Sequence, residues 1–373
     1  MPEPAGAAPP RWAQITYASF DRGDGSPGGW QVKDETGRPS AQEQRELRRR
    51  AISRFDYHGA LPKFLTAEAA RGLPVRMRYE PGGEPGTGIY AHAVLAGTDS
   101  TGRPGNVYSH VALDREPAGA QRPIDFWRSP SFAAPFGVEG ILAVPAPEEP
   151  QPTAALAGRA ILPAVFATAQ YAAALLAAAD AVAGWARGGR RLVLLTDRQD
   201  WAALLIAAVT ALMSPQAARG VGWTMYARAA ELDAADLAGC AVIVVPTADA
   251  AALERREDIW ILPDGFAPQR TADGAHALER GAVPATEFSA LIEAVLAQGY
   301  DLEAVLGALD ALPVEPGGTA PIDPAWPLAT VGVFSGFAGE AAAAAFAERA
   351  PLGALAAAPI RARLLEREAG GLA

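Results

Sequence analysis

Alternating and continuous apolar runs divide this chain into two parts whose predicted sheets differ. Polar and apolar residues alternate over Trp12–Phe20 and Val75–Glu80, which is the pattern of strands with one buried face. Farther along, Arg191–Thr196, Ala241–Val245 and Ile259–Leu262 are short, almost continuously apolar runs between helical stripes. Strands buried on both faces are typical of parallel sheets covered by helices. The pattern predicts an α+β domain with an antiparallel sheet, followed by an α/β three-layer domain with a mostly parallel sheet.

Further periodic segments complete both predicted domains. The S-x-x-E sequence at Ser40–Glu43 is a capping box, which predicts a helix that begins there and ends near Arg54. The remaining predicted strands are Trp30–Lys33, Val138–Val144 and Gly222–Tyr226, and the remaining predicted helices are Ala155–Trp185, Trp201–Met213, Phe288–Leu296 and Leu302–Leu309.

Two proline-rich stretches mark the predicted domain boundaries. Pro145–Thr153 has four prolines in nine residues, and such a run behaves as an exposed, semi-rigid spacer. A second stretch, Pro313–Pro327, precedes an alanine-rich end. We therefore predict domains at residues 11–145 and 154–312 and a helical tail at residues 328–373. We also predict that proteases cut near Pro145–Thr153.

A long-loop β-hairpin is predicted over Ile89–Leu113, where two apolar runs flank a glycine-rich polar loop. The loop midpoint is Thr101, and His92 and His110 both lie nine residues from it. In a symmetric antiparallel ladder the two histidines are directly opposed, with Cβ atoms roughly 4.5–5.5 Å apart. The chain has four histidines, and the opposition of two of them makes the hairpin the candidate functional site.

Candidate chemistry at the hairpin rests on four residues that would converge at one end of it, namely His92, His110, Asn106 and Arg103. The alternative is a packed or hydrogen-bonded histidine pair beside a structural turn. His58 could join the two histidines as a zinc ligand, but its spacing matches no metal motif, so capping or packing is favoured. No metal and no cofactor are predicted.

Other reactive groups give weaker signals. Ser109 precedes His110 on one strand, so the two side chains point to opposite faces. Cys240 lies in an apolar run and is predicted to be buried and inert. Asp197 and Asp200 follow a strand and could bind a metal, but a helix N-cap explains them as well. The sequence contains neither a G-x-S-x-G elbow nor a P-loop.

Charge is uneven along the chain, whose net charge is −10. Residues 1–145 carry 17 basic and 16 acidic side chains, a net of +1, and residues 146–373 carry 15 and 26, a net of −11. An acidic second half argues against extensive nucleic-acid contact there, because phosphate binding needs a basic surface. A single cysteine and a start without a leader pattern favour a cytoplasmic protein. The uncharged run Ala160–Ala179 is alanine-rich and meets Asp180, so we predict a buried helix rather than a membrane span.

Several short segments form a recognisable set: WAQITYASF (12–20), GGWQV (28–32), RFDYH (54–58), GRPGNVYSH (102–110) and RPIDFWRS (122–129). Together they resemble the second type of N-terminal domain of the actinobacterial GTPase-associated protein 1-related family. Ser214–Tyr226 resembles the family's middle domain, with Gly222 and Trp223 in place of the usual Ser-Phe. The resemblance implies a protein that works beside GTPases in bacterial conflict or signalling systems, and it implies no catalytic residues.

We therefore expect a non-catalytic cytoplasmic adaptor whose partner is a P-loop GTPase encoded nearby. The missing P-loop fits this role, because nucleotide hydrolysis would belong to the partner. Two alternatives stay open. One is a hydrolytic enzyme that uses the His92/His110 hairpin site, and the other is a small-molecule sensor at the carboxyl edge of the second sheet. No contact with nucleic acid or with a membrane is expected.

Overall fold

The computed structural model describes residues 9–312 and 323–335, apart from residues 24, 26–27, 63–64, 84–86, 117–118 and 298. Its strands are β1 (Trp12–Phe20), β2 (Gly29–Thr36), β3 (Arg76–Pro81), β4 (Gly88–Leu95), β5 (Val107–Asp114), β6 (Arg191–Leu195), β7 (Gly222–Thr224), β8 (Cys240–Val245), β9 (Ile259–Pro263), β10 (Gln269–Arg270), β11 (His276–Ala277) and β12 (Ala282–Val283). Its helices are α1 (Ala41–Arg50), α2 (Ala67–Arg71), α3 (Gly137–Ala143), α4 (Gly158–Ala167), α5 (Ala169–Ala186), α6 (Gln199–Ala211), α7 (Pro215–Arg219), α8 (Ala250–Leu253), α9 (Glu287–Ala297), α10 (Leu302–Asp310) and α11 (Trp326–Ser335).

Nine strands form one mixed sheet in the order β2-β1-β5-β4-β3-β7-β8-β6-β9, and β10, β11 and β12 form a small separate sheet. Neighbours from β2 to β7 are antiparallel, whereas β7, β8, β6 and β9 are parallel. The junction is β7, where Thr224 pairs with Arg78 of β3 on one side and with Ile243 of β8 on the other. The fold is therefore α/β. The expectation of two separate sheets is wrong, because both edges of β7 are paired.

Helices cover both faces of this sheet. On one face, α4, α5, α6 and α9 pack over both the antiparallel and the parallel strands in a single large core that includes Trp12, Trp223 and Leu194. On the other face, Leu47 of α1 covers the antiparallel strands and Leu253 of α8 covers the parallel ones. Both faces of the hairpin are covered: α1 packs on the face away from the histidines, whereas on the histidine face Tyr90 and Ala112 join the large core and Ile141 of α3 packs with Val94 and Tyr108.

Helix α3 replaces a predicted strand. Val138–Val144 was expected to close the sheet, but Val138 and Ile141 lie three residues apart and both pack on Ala18 and Phe20. An apolar spacing of three residues puts both side chains on one face of a helix, whereas in a strand they would point to opposite faces. The strand prediction is therefore wrong.

Two other helices differ in length from their predictions. The capping box at Ser40 and Glu43 is present, but α1 ends at Arg50 rather than near Arg54. The predicted helix Ala155–Trp185 is broken at Thr168, where the backbone is extended and the chain bends by 119°. An unbroken helix of that length would be about 45 Å long, whereas the bend lets both α4 and α5 pack against α6.

The proline-rich segment at residues 145–153 is held against the protein. Gln14 Nε2 donates to the carbonyl of Pro147 at 2.6 Å, and the N–H of Thr153 donates to the carbonyl of Asp125 at 2.7 Å. Pro150 is buried. Pro145, Glu148, Glu149 and Gln151 are exposed, as expected of a spacer. The expectation of poor hydrogen bonding is wrong, because prolines remove donors but leave carbonyls that side chains of the sheet can bind.

The C-terminal region is described only in part. Helix α11 begins at Trp326 and ends at Ser335, and the rest of the predicted tail, residues 336–373, lies outside the described residues, as does most of Pro313–Pro327. Within the residues that the structure does describe, no single helix is both long and apolar enough to cross a bilayer, and α4 and α5 reach that length only as a sharply bent pair.

Candidate functional site

The two hairpin histidines face each other, as the loop symmetry predicts. The ladder between β4 and β5 pairs His92 with His110. A bulge does occur at Gly105, where the carbonyl of Gly97 accepts from the N–H groups of both Gly105 and Asn106. This bulge lies at the loop end, outside the ladder, so it does not shift the register. Both imidazoles therefore lie on one face of adjacent strands.

That face is closed by the loop around Phe132. The centroid of the Phe132 ring is 5.6 Å from that of His92 and 4.9 Å from that of His110. The exposed fractions of the two histidines are 4% and 1%. Burial lowers the pKa of His92 to about 3, with the neighbouring His110 adding to the effect, and lowers the pKa of His110 to about 4. Both rings are therefore neutral near pH 7.

The two rings differ in their hydrogen bonds. His110 Nε2 is 3.0 Å from Oε1 of Gln14, a buried contact between β5 and β1. His92 Nδ1 is buried and has no hydrogen-bond partner. General acid–base chemistry needs a ring nitrogen within hydrogen-bond reach of a substrate, and the loop around Phe132 blocks that approach. The geometry corresponds to the packed, hydrogen-bonded alternative.

Asn106 and Arg103 do not converge on the histidine pair. The Asn106 side chain accepts from the Ser19 N–H at 3.1 Å and donates to the Ser19 carbonyl at 2.9 Å, which ties the start of β5 to the end of β1. It lies four residues from His110, about 13 Å along an extended strand. Arg103 lies in the exposed loop, where its N–H donates to Oδ1 of Asp99 at 2.9 Å.

His58 lies at the carboxyl edge of the parallel strands and contacts neither hairpin histidine. Its N–H donates to the Tyr226 hydroxyl at 3.0 Å, and its Nε2 is 3.8 Å from Oδ1 of Asp197. Asp197 in turn accepts from the N–H of Thr247 at 3.3 Å. Among the described residues, no group of three His, Cys, Asp or Glu side chains is placed to hold a metal ion. Of the five candidate residues, the structure brings together only His92 and His110.

The remaining candidates have structural contacts. Ser109 Oγ accepts from the N–H of Ile52 at 3.0 Å, on the face opposite His110. Cys240 is buried, and burial raises the pKa of its thiol to about 12. The N-cap of α6 is Arg198 rather than Asp197 or Asp200, so the N-cap prediction is wrong. Asp200 is the second residue of α6, and its Oδ1 is 2.6 Å from Nε of Arg128.

Two family models match this chain side by side. Residues 11–150 match the N-terminal domain type 2 of GTPase-associated protein 1, and residues 155–262 match its middle domain. The chain belongs to the GTPase-associated protein 1 family.

Two curated relatives come from Mycolicibacterium smegmatis, strains MKD8 and mc(2)155, and each bears the name of a proposed ESX-1 scaffolding and assembly protein, SaeB. They are 34% identical over 334 residues and 32% identical over 333 residues, each match covering 86% of this chain and 39% of the relative. The chain thus spans about two fifths of the length of the curated relatives it matches.

Arg122 joins the two matched domains of this family member, and sequence reasoning missed it. Its Nε donates to the carbonyl of Thr210 at 2.8 Å, and its Nη2 donates to the carbonyls of Ala211 at 3.3 Å and Met213 at 2.9 Å. Its Nη1 is 2.9 Å from Oδ1 of Asp310. The last carbonyls of a helix lack intrahelical donors, so Arg122 of the N-terminal domain caps helix α6 of the middle domain. The segment RPIDFWRS contributed to the family resemblance, but nothing in it identified the partner of Arg122.

A buried carboxylate in the middle domain was also missed. Asp180 of α5 has no exposed side-chain surface, and its Oδ2 is 2.8 Å from Nε2 of His276. Its Oδ1 accepts from the N–H of Ser289 at 3.1 Å and from the hydroxyl of Thr286. Buried carboxylates are stable only when hydrogen bonds satisfy them. An aspartate that ends an alanine-rich apolar run was the signal that could have revealed this network.

Proposed function

We propose that this chain is a non-catalytic scaffold or adaptor that works in the cytoplasm beside a P-loop GTPase encoded nearby. The observation that carries the proposal is the pair of adjacent domain matches, both described as GTPase-associated. The name of the curated relatives, a scaffolding and assembly protein, supports the same class of role. The system served would be a bacterial conflict or signalling system, with nucleotide hydrolysis supplied by the partner.

The burial of the histidine pair supports the non-catalytic part of the proposal. The hydrolytic alternative needs a reactive group at a surface that a substrate can reach, and the hairpin site has neutral imidazoles under a closed loop. The pair contributes instead to the rigidity of the sheet, because a buried hydrogen bond between β5 and β1 fixes their relative position.

The free edge of the sheet at β2 is the surface that we assign to the partner GTPase. Trp30 of β2 is 41% exposed, and its ring stacks on Tyr17 with centroids 5.8 Å apart. Edge strands present backbone groups to other chains, and exposed Trp and Tyr are common anchors of protein interfaces. Arg22 already covers the carbonyls of Val32 and Lys33, so the Trp30 end of β2 is the open part of this edge.

The test is calorimetric binding of the purified chain to the GTPase encoded nearest to its gene, loaded with GDP or with a non-hydrolysable GTP analogue. We expect binding in at least one nucleotide state. Loss of a central aromatic anchor costs about 2 kcal/mol or more, so Trp30→Ala should weaken binding by roughly thirtyfold. Leu296→Ala is the matched control, because Leu296 is also 41% exposed but lies on α9.

Two results would contradict the proposal. Tight binding or hydrolysis of GTP by this chain alone would make it a nucleotide enzyme rather than an adaptor. Absence of binding in both nucleotide states would show that the neighbouring GTPase is not the partner. If Trp30→Ala and Leu296→Ala weaken binding equally, the adaptor role stands but the β2 edge is not the contact surface.

A further inference from the structure

A cleft of about 200 Å³ opens where residues 120–125 meet helices α4, α6 and α10. Pockets for drug-sized ligands are larger, from ~300 Å³ upward. The polar lining consists of Arg122, Asp125, Arg159 and Asp310, and the remainder is alanine, glycine and Leu306. The cleft therefore has the size for a small metabolite and carries charges of both signs.

Two carboxyl groups, those of Asp125 and Asp310, line the cleft. Asp125 Oδ2 accepts from the N–H of Arg122 at 2.8 Å, and burial raises the pKa of Asp125 to about 6, an effect to which the charge of Asp310 adds. Asp310 Oδ1 is 2.9 Å from Arg122 Nη1, but the contact lacks hydrogen-bond geometry, and this buried oxygen has no hydrogen-bond donor. Partly desolvated carboxyl groups with free acceptor capacity favour a cationic donor such as an ammonium group.

Arg159 brings a positive charge to the same cleft. Arg159 is exposed and has no hydrogen-bond or ion-pair partner among the described residues. It lies in the first turn of α4, where the N-cap residue Ala157 supplies no side-chain acceptor, and the N-terminal end of a helix favours negative charge. Arg122 has its donors engaged by carbonyls and by Asp310, so Arg159 is the cation available to a ligand.

We propose that this cleft binds a small zwitterion of amino-acid size, with its ammonium group on Asp125 and Asp310 and its carboxylate on Arg159. A metal ion fits less well, because Ca²⁺ and Mg²⁺ take about six or more ligands and two carboxyl groups supply few of them. A simple anion would meet the carboxylate of Asp310, and a simple amine would meet Arg159. A ligand with both charges matches the carboxyl groups and the guanidinium group of the lining alike. The inference is independent of the adaptor role.

The binding test uses the full chain and each of the standard amino acids at millimolar concentration, by saturation-transfer NMR at about pH 7.5. The tightest ligand is then compared by calorimetry with the amine that lacks its carboxylate and with the acid that lacks its ammonium group. We expect both analogues to bind at least about tenfold more weakly, since each loses one charge-assisted contact.

Variants of the chain test the basic and the acidic side chains of the cleft separately. Arg159→Gln and Asp310→Asn should each weaken binding by about tenfold or more, whereas Arg255→Gln, which changes an exposed arginine outside the cleft, should not. Asp125, which lines the cleft together with Arg122, Arg159 and Asp310, has a pKa of about 6. Lowering the pH from about 7.5 to about 5 protonates most of it and should weaken binding by up to about tenfold.

Three outcomes would overturn the proposal. In the first, no standard amino acid binds at concentrations up to about 10 mM, so that any dissociation constant lies above the millimolar range. In the second, the amine or the acid binds as tightly as the amino acid. In the third, Arg159→Gln binds as the unchanged chain does. The third result is decisive on its own, because Arg159 is exposed and has no partner among the described residues, so its replacement leaves the fold intact.

Discussion

Replacement of Arg122 by methionine is the sharpest test of how the two family domains hold together. Met keeps the length of the side chain and removes the guanidinium group. Three carbonyls at the end of α6, those of Thr210, Ala211 and Met213, then lose a donor. The Asp310 carboxylate, which is 25% exposed, loses its cation.

The cost follows from these contacts. A buried acceptor left without a donor costs about 1–3 kcal/mol, and a buried ion pair broken on one side costs about 3–5 kcal/mol. These terms share one side chain and do not add. We therefore expect the free energy of unfolding to fall by about 3–5 kcal/mol, a large part of the ~5–15 kcal/mol typical of proteins. Arg122→Lys should lose about half as much, because an ammonium group reaches fewer of the same acceptors.

Urea denaturation followed by tryptophan fluorescence measures this loss. Arg159→Met is the control, because Arg159 is exposed and lacks a partner among the described residues, so its replacement should change the free energy of unfolding by less than about 0.5 kcal/mol. A loss below about 1 kcal/mol for Arg122→Met would mean that the end of α6 is satisfied by other donors. Equal stability of Arg122→Lys and the unchanged chain would refute the role of the guanidinium geometry.

Three further predictions follow from the hairpin and the segment beside it. His110→Leu should lower the free energy of unfolding by about 1–3 kcal/mol, because Gln14 loses a buried partner, and His92→Leu should cost less, because His92 Nδ1 has no partner to lose; the reverse order in thermal unfolding would contradict this. Burial lowers both histidine pKa values from the usual 6.5, so their contribution to stability is complete above about pH 6.5 and is lost as the pH falls towards 4. Asp125, with its pKa raised to about 6, takes up one proton in the folded state over this range. Its effect on the free energy of unfolding offsets that of one of the two histidines. The net fall should be about 1.4 kcal/mol per pH unit between pH 6 and 4, and a flat stability profile there would be inconsistent with neutral buried rings. Residues 145–153 should resist limited proteolysis, because Pro150 is buried and Pro147 is hydrogen-bonded. If mass spectrometry finds the first cut in this segment, the prediction of an accessible spacer is correct after all.

The register of the hairpin was predictable because it depends on local symmetry. Equal distances of His92 and His110 from Thr101 fix their pairing, and the bulge at Gly105 stays in the loop. The strand positions in both halves of the sheet were predictable for the same reason, since apolar periodicity is a local signal. What covers the histidines was not predictable, because Phe132 comes from a loop whose path depends on tertiary packing.

Long-range partners account for the missed strand pairing and the missed side-chain contacts. The pairing of β3 with β7 joins residues such as Tyr79 and Trp223, which are far apart in the chain, and no periodic pattern encodes that choice of neighbour. Arg122 and Asp180 were missed for the same reason, since their roles depend on which helix end or side chain packs beside them. The division into domains at residues 11–145 and 154–312 stays a prediction, and separate expression of the two parts would test it.

Strand β7 has a mechanical consequence for the proposed adaptor role. Its three residues, Gly222–Thr224, are the only described strand that touches both halves of the sheet. A force applied at the β2 edge would pass through backbone hydrogen bonds from strand to strand and reach β9 without crossing a flexible tether. The hydrogen bonds between each pair of neighbouring strands would share such a load. The two halves of the sheet would therefore move together as one rigid unit.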